Sequence, residues 1–256
     1  MIADTTAAIA YHETLAGAYF RLGLHTGWKL FVPGQFAMVQ VPPVSGLLLR
    51  RPFSLARQIG PVTEILYKVV GKGTEALSQM KVGQELKILG PLGRGFSHIP
   101  QGKNIVGVAG GYGIAPFWEL AVQLRERSQD LKLFYGARAA KDLIYLDQLR
   151  EAGVELHLAT EDGSQGHRGL VTEVLAQKFY KEKPDWVGAC GPMGLLYAVG
   201  RWSEQKGVGA QLSVEEAMGC GTGVCLGCVV KDREGHYRRA CIEGPVMSAQ
   251  SMEIPA

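Results

Sequence analysis

The sequence predicts three parts in series: an antiparallel β-barrel, a Rossmann-like parallel α/β unit and a small cysteine-rich C-terminal unit. Three observations carry this. Residues 7–95 read as short strand-type runs punctuated by Gly and Pro, with no long helical period. Residues 102–208 alternate apolar strand runs with amphipathic helical stretches, the βα repetition of a doubly wound sheet. Residues 215–241 hold four of the five cysteines at the spacing C-x4-C-x2-C-x12-C. The expected boundaries are 1–101, 102–210 and 211–256.

The chain has 256 residues, a net charge of +3, 46% hydrophobic and 20% charged residues, which suits an ordinary globular protein with a sizeable core. Its charges are scattered, giving no footprint for nucleic acid or an anionic membrane. The first residues, with Asp4 and no basic or sustained apolar run, do not read as a signal peptide, and none is expected there. The uncharged stretch 30–49 is broken by Pro33, Gly34, Pro42, Pro43 and Gly46, so it does not read as a membrane span. A cytoplasmic protein is expected.

In the barrel region the strand runs are AYFRLGL, QFAMVQV, LLLRRPFSLA, VTEILYKVV and ELKILG. Arg51, Pro52, Phe53 and Ser54 follow the apolar run 47–49 on one strand, with Arg51 and Phe53 on one face and Pro52 and Ser54 on the other. An Arg fork there suits a diphosphate and a hydroxyl suits a flavin edge; a solvated strand end explains the same tetrapeptide. The strand through Leu66, Tyr67 and Lys68 runs into Gly71, Lys72, Gly73 and Thr74, a Gly-rich turn before a helix start, which attracts phosphate. Thr74 also suits a plain N-cap.

In the α/β region a buried-strand run at 104–109 leads into Gly110, Gly111, Tyr112, Gly113 and Pro116, then a helix over 117–127. Strand, glycine turn and helix start form a cradle for pyrophosphate, with Pro116 tolerated in the first helical turn. Helices are expected at 143–152, 171–179 and 194–204, and strands at 131–135, 154–159 and 186–189. Cys190, Gly191 and Pro192 close the last of these strands, where a dinucleotide can reach them; a buried structural thiol fits Cys190 equally well.

The cysteine spacing matches the plant-type pattern for a 2Fe-2S cluster, three thiolates from one loop and a fourth from farther along. Gly219, Gly221, Gly223 and Gly227 let that loop wrap an inorganic core, and residues 229–240 read as a hairpin returning to Cys241. A structural zinc competes, although the second half offers a lone Cys241 where zinc sites usually pair two knuckles. Disulfides suit an exported protein instead. The six histidines show no metal-ligand spacing.

In order, R-P-F-S, G-K-G-T, G-G-Y-G-I-A-P and C-G-P-M resemble the ferredoxin-NADP reductase superfamily. The segment EEAMGCGTGVC narrows the resemblance to the electron-transfer subunits of NAD-linked (class 1B) dihydroorotate dehydrogenase, over essentially the whole chain. This resemblance implies an FAD-binding barrel, an NAD-binding α/β domain and a C-terminal 2Fe-2S domain. It would give FAD to Arg51, Pro52, Phe53, Ser54, Leu66, Tyr67, Lys68, Gly73 and Thr74, and the cluster to Cys220, Cys225, Cys228 and Cys241. Gly110, Gly111, Gly113, Pro116, Gly191 and Pro192 would border the nicotinamide nucleotide, with Cys190 as the catalytic thiol. It further implies an FMN-containing catalytic partner that oxidises dihydroorotate in pyrimidine biosynthesis, in a heterotetramer with two of each subunit. FAD would then convert between paired electrons on NAD and single electrons on the cluster. Two alternatives stand beside this reading: a flavin and iron-sulfur subunit serving ferredoxin, sulfide or hydrogenase chemistry, and a zinc-stabilised assembly module. Arg138 and Lys141, after the second α/β strand, leave NAD versus NADP open.

Overall fold

The structure is a computed structural model that describes residues 2–42 and 47–255. Pro43 and Gly46, two of the expected breaks in the uncharged stretch, lie outside the described residues. Among those described, no helix is long and apolar enough to cross a membrane.

Six strands close an antiparallel barrel: β1 (Ala3–Ala16), β2 (Tyr19–His25), β3 (Phe36–Gln40), β4 (Arg51–Ile59), β5 (Val62–Lys68) and β6 (Glu85–Leu92), in the order β1-β2-β5-β4-β3-β6. β1 closes it, because its first half pairs with β6 and its second half with β2. Reading the strand pattern from Ala7 onward missed β1. Its interior positions include small Ala7 beside Ile9, and alanine carries little strand signal. Ile9, Leu22, Leu24, Val39, Leu55 and Ile65 fill the barrel. The apolar run 47–49 is not strand: Leu48 is 94% exposed and β4 starts only at Arg51.

After β5, the helix α1 (Lys72–Ser78) takes Gly71 as its N-cap. Thr74 is therefore not the cap but the third helical residue. Its hydroxyl reaches back, accepting from the Val70 and Gly71 N–H groups at 3.0 and 3.2 Å.

The α/β unit is built on β7 (Ile105–Gly110), β8 (Leu131–Ala137), β9 (Glu155–Thr160), β10 (His167–Arg168), β11 (Trp186–Cys190) and β12 (Ala210–Ser213), with α2 (Ala115–Arg125), α3 (Leu146–Glu151), α4 (Val171–Lys178) and α5 (Met193–Lys206). These strands run parallel in the order β10-β9-β8-β7-β11-β12. β7 and β11 are buried throughout, as their continuous apolar runs require of strands covered on both faces. The chain order reverses between β7 and β11, and ligands of such sheets bind beyond the strand ends at that switch point. The helix expected over 143–152 is shorter. A 3-10 turn, Ala140–Asp142, precedes it, and Tyr145 sits in the left-handed region at φ 67.

The expected cysteine hairpin is present as β13 (Val229–Lys231) and β14 (Tyr237–Arg239). The chain then returns β15 (Val246–Ser248) to the large sheet, antiparallel to β12, as a seventh strand. The cysteine loop is thus fastened at both ends to the α/β sheet, and β12 crosses the expected boundary at residue 210. Barrel and sheet share one core, in which Phe96 of the connecting segment stacks on Phe117 of α2 at 5.8 Å.

Candidate functional site

A cavity of about 470 Å³ opens where the three parts meet. Its barrel wall is made by Arg51, Pro52, Phe53 and Ser54 from β4 and by Leu66, Tyr67 and Lys68 from β5. Gly73 and Thr74 of α1 close that side, so the nine residues singled out on the barrel share one cavity. The opposite wall comes from Tyr112, Cys190, Ser213 and Glu215.

Local geometry explains the wall. Phe53 belongs to the barrel core and meets Tyr67 edge-on at 5.9 Å, and Phe20 stacks on Tyr67 at 5.4 Å. The Tyr67 hydroxyl donates to Nε2 of His12, whose Nδ1–H donates to the Met80 carbonyl at 2.8 Å, so the ring is fixed from behind. Arg51 donates through Nη1 to the Leu49 carbonyl at 2.6 Å and, among the described residues, joins no ion pair. Its remaining donors are available to an anion. The Nε atom lies beside Gly73, where a side-chain carbon would be in van der Waals contact with it.

The predicted nucleotide residues gather at the switch point without lining this cavity, Cys190 excepted. Gly110 ends β7, and Gly111 to Ile114 form a 3-10 turn into α2, with Pro116 in its first turn. A Cβ on Gly113 would overlap the Cys190 carbonyl, and one on Gly110 would meet Pro192 at 2.9 Å. The glycines therefore let the β7 turn and the segment Cys190, Gly191, Pro192 close on each other. Burial, and then the nearby Glu215 carboxylate, push the Cys190 thiol up to about 12, despite its hydrogen bond with Ser213. Cys190 is a protonated thiol at neutral pH.

Residues that sequence reasoning did not select complete the site. Tyr112 donates to Glu215 Oε2 at 3.0 Å. Burial and Glu215 push Tyr112 up to about 12, and burial raises the Glu215 carboxyl above its usual range. Tyr112 and Glu215 lay inside quoted motifs. Phe36, Ser213 and Pro245 had no local signal, because distant parts of the chain bring them to the cavity.

The cysteine loop begins immediately beyond the cavity residue Met218. Gly221, at φ 72, lies so close to Met38 of β3 that a side chain there would collide with it, which seats the loop on the barrel. The Cys220 sulfur accepts from the Cys225 and Thr222 N–H groups at 3.5 and 3.4 Å, which lowers its thiol to about 6. Cys228 and Cys241 are buried side by side, and burial followed by the Cys228 contact pushes Cys241 up to about 12. Backbone donors aimed at sulfur favour thiolate ligation. A single zinc would draw its sulfurs to within ~3.8 Å of one another, from a metal–sulfur distance of about 2.3 Å. Among the described residues the only trio of His, Cys or carboxylate ligand atoms within 4.8 Å is Asp232, Glu234 and His236. No three of the cysteine sulfurs lie that close together among the described residues. Asp232 itself is spent on the hairpin turn, accepting from the N–H groups of Glu234 and His236 and from Arg238.

Comparison with known proteins agrees with this geometry. Residues 215–253 match the iron-sulfur cluster binding domain of dihydroorotate dehydrogenase B, and residues 108–201 match an oxidoreductase NAD-binding domain. The dihydroorotate dehydrogenase B (NAD(+)) electron transfer subunit of Clostridium acetobutylicum is 41% identical over 214 residues, covering 84% of this chain and 83% of the relative. This chain belongs to the family of dihydroorotate dehydrogenase B electron transfer subunits. The family member from Desulforamulus reducens is 38% identical over 223 residues, 85% of each chain. A homologue of the subunit in Aquifex aeolicus is 36% identical over 98% of this chain and 99% of its own length. Among solved structures, an NADH-dependent reduced ferredoxin-NADP oxidoreductase studied for flavin-based electron bifurcation superposes with a TM-score of 0.86 at 29% identity, over 97% of this chain and 90% of that one. Family and fold together make the chain an NAD-linked flavin and iron-sulfur oxidoreductase subunit, with FAD, a 2Fe-2S cluster and NAD as its redox groups. An electron transfer subunit implies a separate catalytic subunit.

Proposed function

We propose that this chain carries electrons from the FMN of a dihydroorotate-oxidising partner, through a 2Fe-2S cluster and FAD, to NAD, in pyrimidine biosynthesis. One observation carries the reading: a single cavity joins the barrel residues suited to a flavin, the Cys190 end of the nucleotide site and the segment that enters the cysteine loop. Bound flavin exchanges electron pairs with nicotinamide and single electrons with a cluster.

The residues present fit these groups. Arg51 has free guanidinium donors at the cavity wall, and with Gly73 and Thr74 of the α1 turn it would hold the FAD diphosphate. Ser54, Pro52, Phe53, Leu66, Tyr67 and Lys68 would form the bed for the ring system. Cys220, Cys225, Cys228 and Cys241 would hold the cluster. Gly110, Gly111, Gly113 and Pro116 would take the NAD pyrophosphate side, while Gly191, Pro192 and the protonated Cys190 would border the nicotinamide. Cys190 acts as a polar wall that orients, since its thiol is not ionised. Hydride transfer needs no protein acid or base, so positioning dominates.

The cluster loop also supports the partner. Cys225 is exposed, and its neighbours Val224 and Leu226 are 81% and 60% exposed, an apolar rim suited to docking a protein. We assign this rim to an FMN-containing catalytic subunit in a two-plus-two assembly, in the cytoplasm where thiolates stay reduced. The division 1–101, 102–210 and 211–256 follows the three redox roles, with β15 crossing back. Because the bifurcating oxidoreductase superposes so fully, a ferredoxin-linked role is the second reading. Co-purification with an FMN subunit and NAD-dependent oxidation of dihydroorotate by the pair would establish the first. A partner without FMN, and no dihydroorotate oxidation, would favour the second.

A further inference from the structure

The barrel and the α/β unit are joined beside the cavity by an unusual polar contact. Glu64 of β5 is fully buried. One carboxylate oxygen accepts from the Tyr11 hydroxyl of β1 at 2.7 Å, and the other accepts from the Tyr145 hydroxyl, which belongs to the α/β unit. The register makes the first bond possible. Tyr11 and Glu64 both pair with Gly23 of β2, and a side chain on Gly23 would overlap the Tyr11 ring lying across it.

Tyr145 closes the segment 140–145, which its own unit holds firmly. The Tyr135 hydroxyl accepts from the Ile144 N–H at 3.2 Å and donates to the Asp142 carbonyl at 3.3 Å. From this braced segment two side chains reach the barrel. Tyr145 reaches Glu64 from a left-handed backbone that bulky residues rarely adopt. Asp142 accepts from the Tyr19 hydroxyl at 3.1 Å, and Tyr19 in turn accepts from Lys68 Nζ at 3.0 Å. Glu64, Leu66 and Lys68 alternate along β5 and share its face, and Leu66 and Lys68 line the cavity. The strand that forms the flavin wall is thus the strand that the α/β unit grips.

We propose that Glu64 and Tyr145 are positioning residues: with Asp142 they form a clip that seats the nucleotide-binding unit against the cavity at the separation hydride transfer needs. This rests on the reading of the cavity as the flavin site. A displacement of about 1 Å in such a transfer can cost on the order of a hundredfold in rate. An apolar seam would tolerate sliding, whereas a buried carboxylate bonded from both units strongly resists separation.

The test compares Tyr145→Phe with Tyr11→Phe in the holoprotein. Each removes one hydroxyl from the same carboxylate, but only Tyr145 spans the two units. The clip predicts that Tyr145→Phe keeps its flavin and cluster absorbance and loses about tenfold or more in kcat for NADH-driven dye reduction. KM for NADH should stay within about threefold, and the long-wavelength absorbance of the nicotinamide–flavin pair should weaken. Tyr11→Phe should keep near-normal kinetics. Glu64→Met, which keeps much of the side-chain length but removes both acceptors, should follow Tyr145→Phe and serves if that variant does not fold. Equal kinetic loss in Tyr145→Phe and Tyr11→Phe, or a lower Tm with unchanged kcat, would overturn the clip. Wild-type protein whose bound flavin NADH cannot reduce would instead overturn the functional reading, and the clip with it.

Discussion

The Tyr112 hydroxyl meets Glu215 Oε2 at 3.0 Å, tying the turn after β7 to the segment that enters the cysteine loop. The contact crosses from the NAD-binding unit to the cluster unit at the edge of the cavity. A hydrogen bond at such a site contributes about 0.5–1.5 kcal/mol. Tyr112→Phe should therefore speed amide exchange over residues 215–218 by roughly two- to tenfold. Mass-spectrometric hydrogen exchange reads this directly, and unchanged rates would show that the contact holds nothing.

Arg51→Ala should weaken flavin retention. A charge-assisted contact to a diphosphate is typically worth about 1.5–3 kcal/mol, or roughly ten- to hundredfold in Kd. Flavin content after dialysis checks it, and a variant that retains its full complement would place the diphosphate elsewhere.

Cys225→Ser should separate the two redox activities. Transfer to the partner falls to background, while NADH-driven reduction of small dyes persists, because the cavity wall does not include this residue. Parallel loss of both activities would contradict separate flavin and cluster roles.

Glu119 offers a pH test of the seam between barrel and α2. Its carboxylate accepts from the Gln58 N–H at 3.0 Å and from Gln123, yet burial raises its pKa above the ordinary 4.5. The folded state then binds the proton more tightly than the unfolded chain. Its contribution to stability is full below about 4.5 and is lost as pH rises through the folded value. Glu119→Gln keeps one acceptor oxygen, for the Gln58 N–H, without the charge. Its Tm advantage over wild type should be greater at about pH 7.5 than at about pH 5. An advantage that is flat or reversed with pH would refute this.

What the sequence made legible was local. Arg51 to Ser54, the stretch at Gly73 and Thr74, and the cysteine loop each stand out within a few residues, because a turn or a ligand loop is specified by neighbours, and the structure brings the barrel residues among them to one cavity. The βα alternation likewise appears in runs such as Ile105–Gly110, whose burial on both faces leaves a continuous apolar signature. Long-range features were silent. β1 is built from Thr and Ala with few large apolar residues, and β15 is three residues long. The run 47–49 read as part of the strand that holds Arg51 and is not strand, with Leu48 and Leu49 exposed, since apolarity alone does not supply a strand partner. The contact of Glu64 with Tyr145, 81 residues apart, and the arrival of Ser213 and Pro245 at the cavity depend on tertiary packing alone.

The most direct test is metal, sulfide and flavin analysis of the anaerobically purified protein, with its visible spectrum before and after NADH. Iron and acid-labile sulfide should be present in equal amounts, each about twice the FAD, and NADH should bleach the flavin bands. A folded, colourless protein with zinc in place of iron and sulfide, and no flavin, would contradict the account.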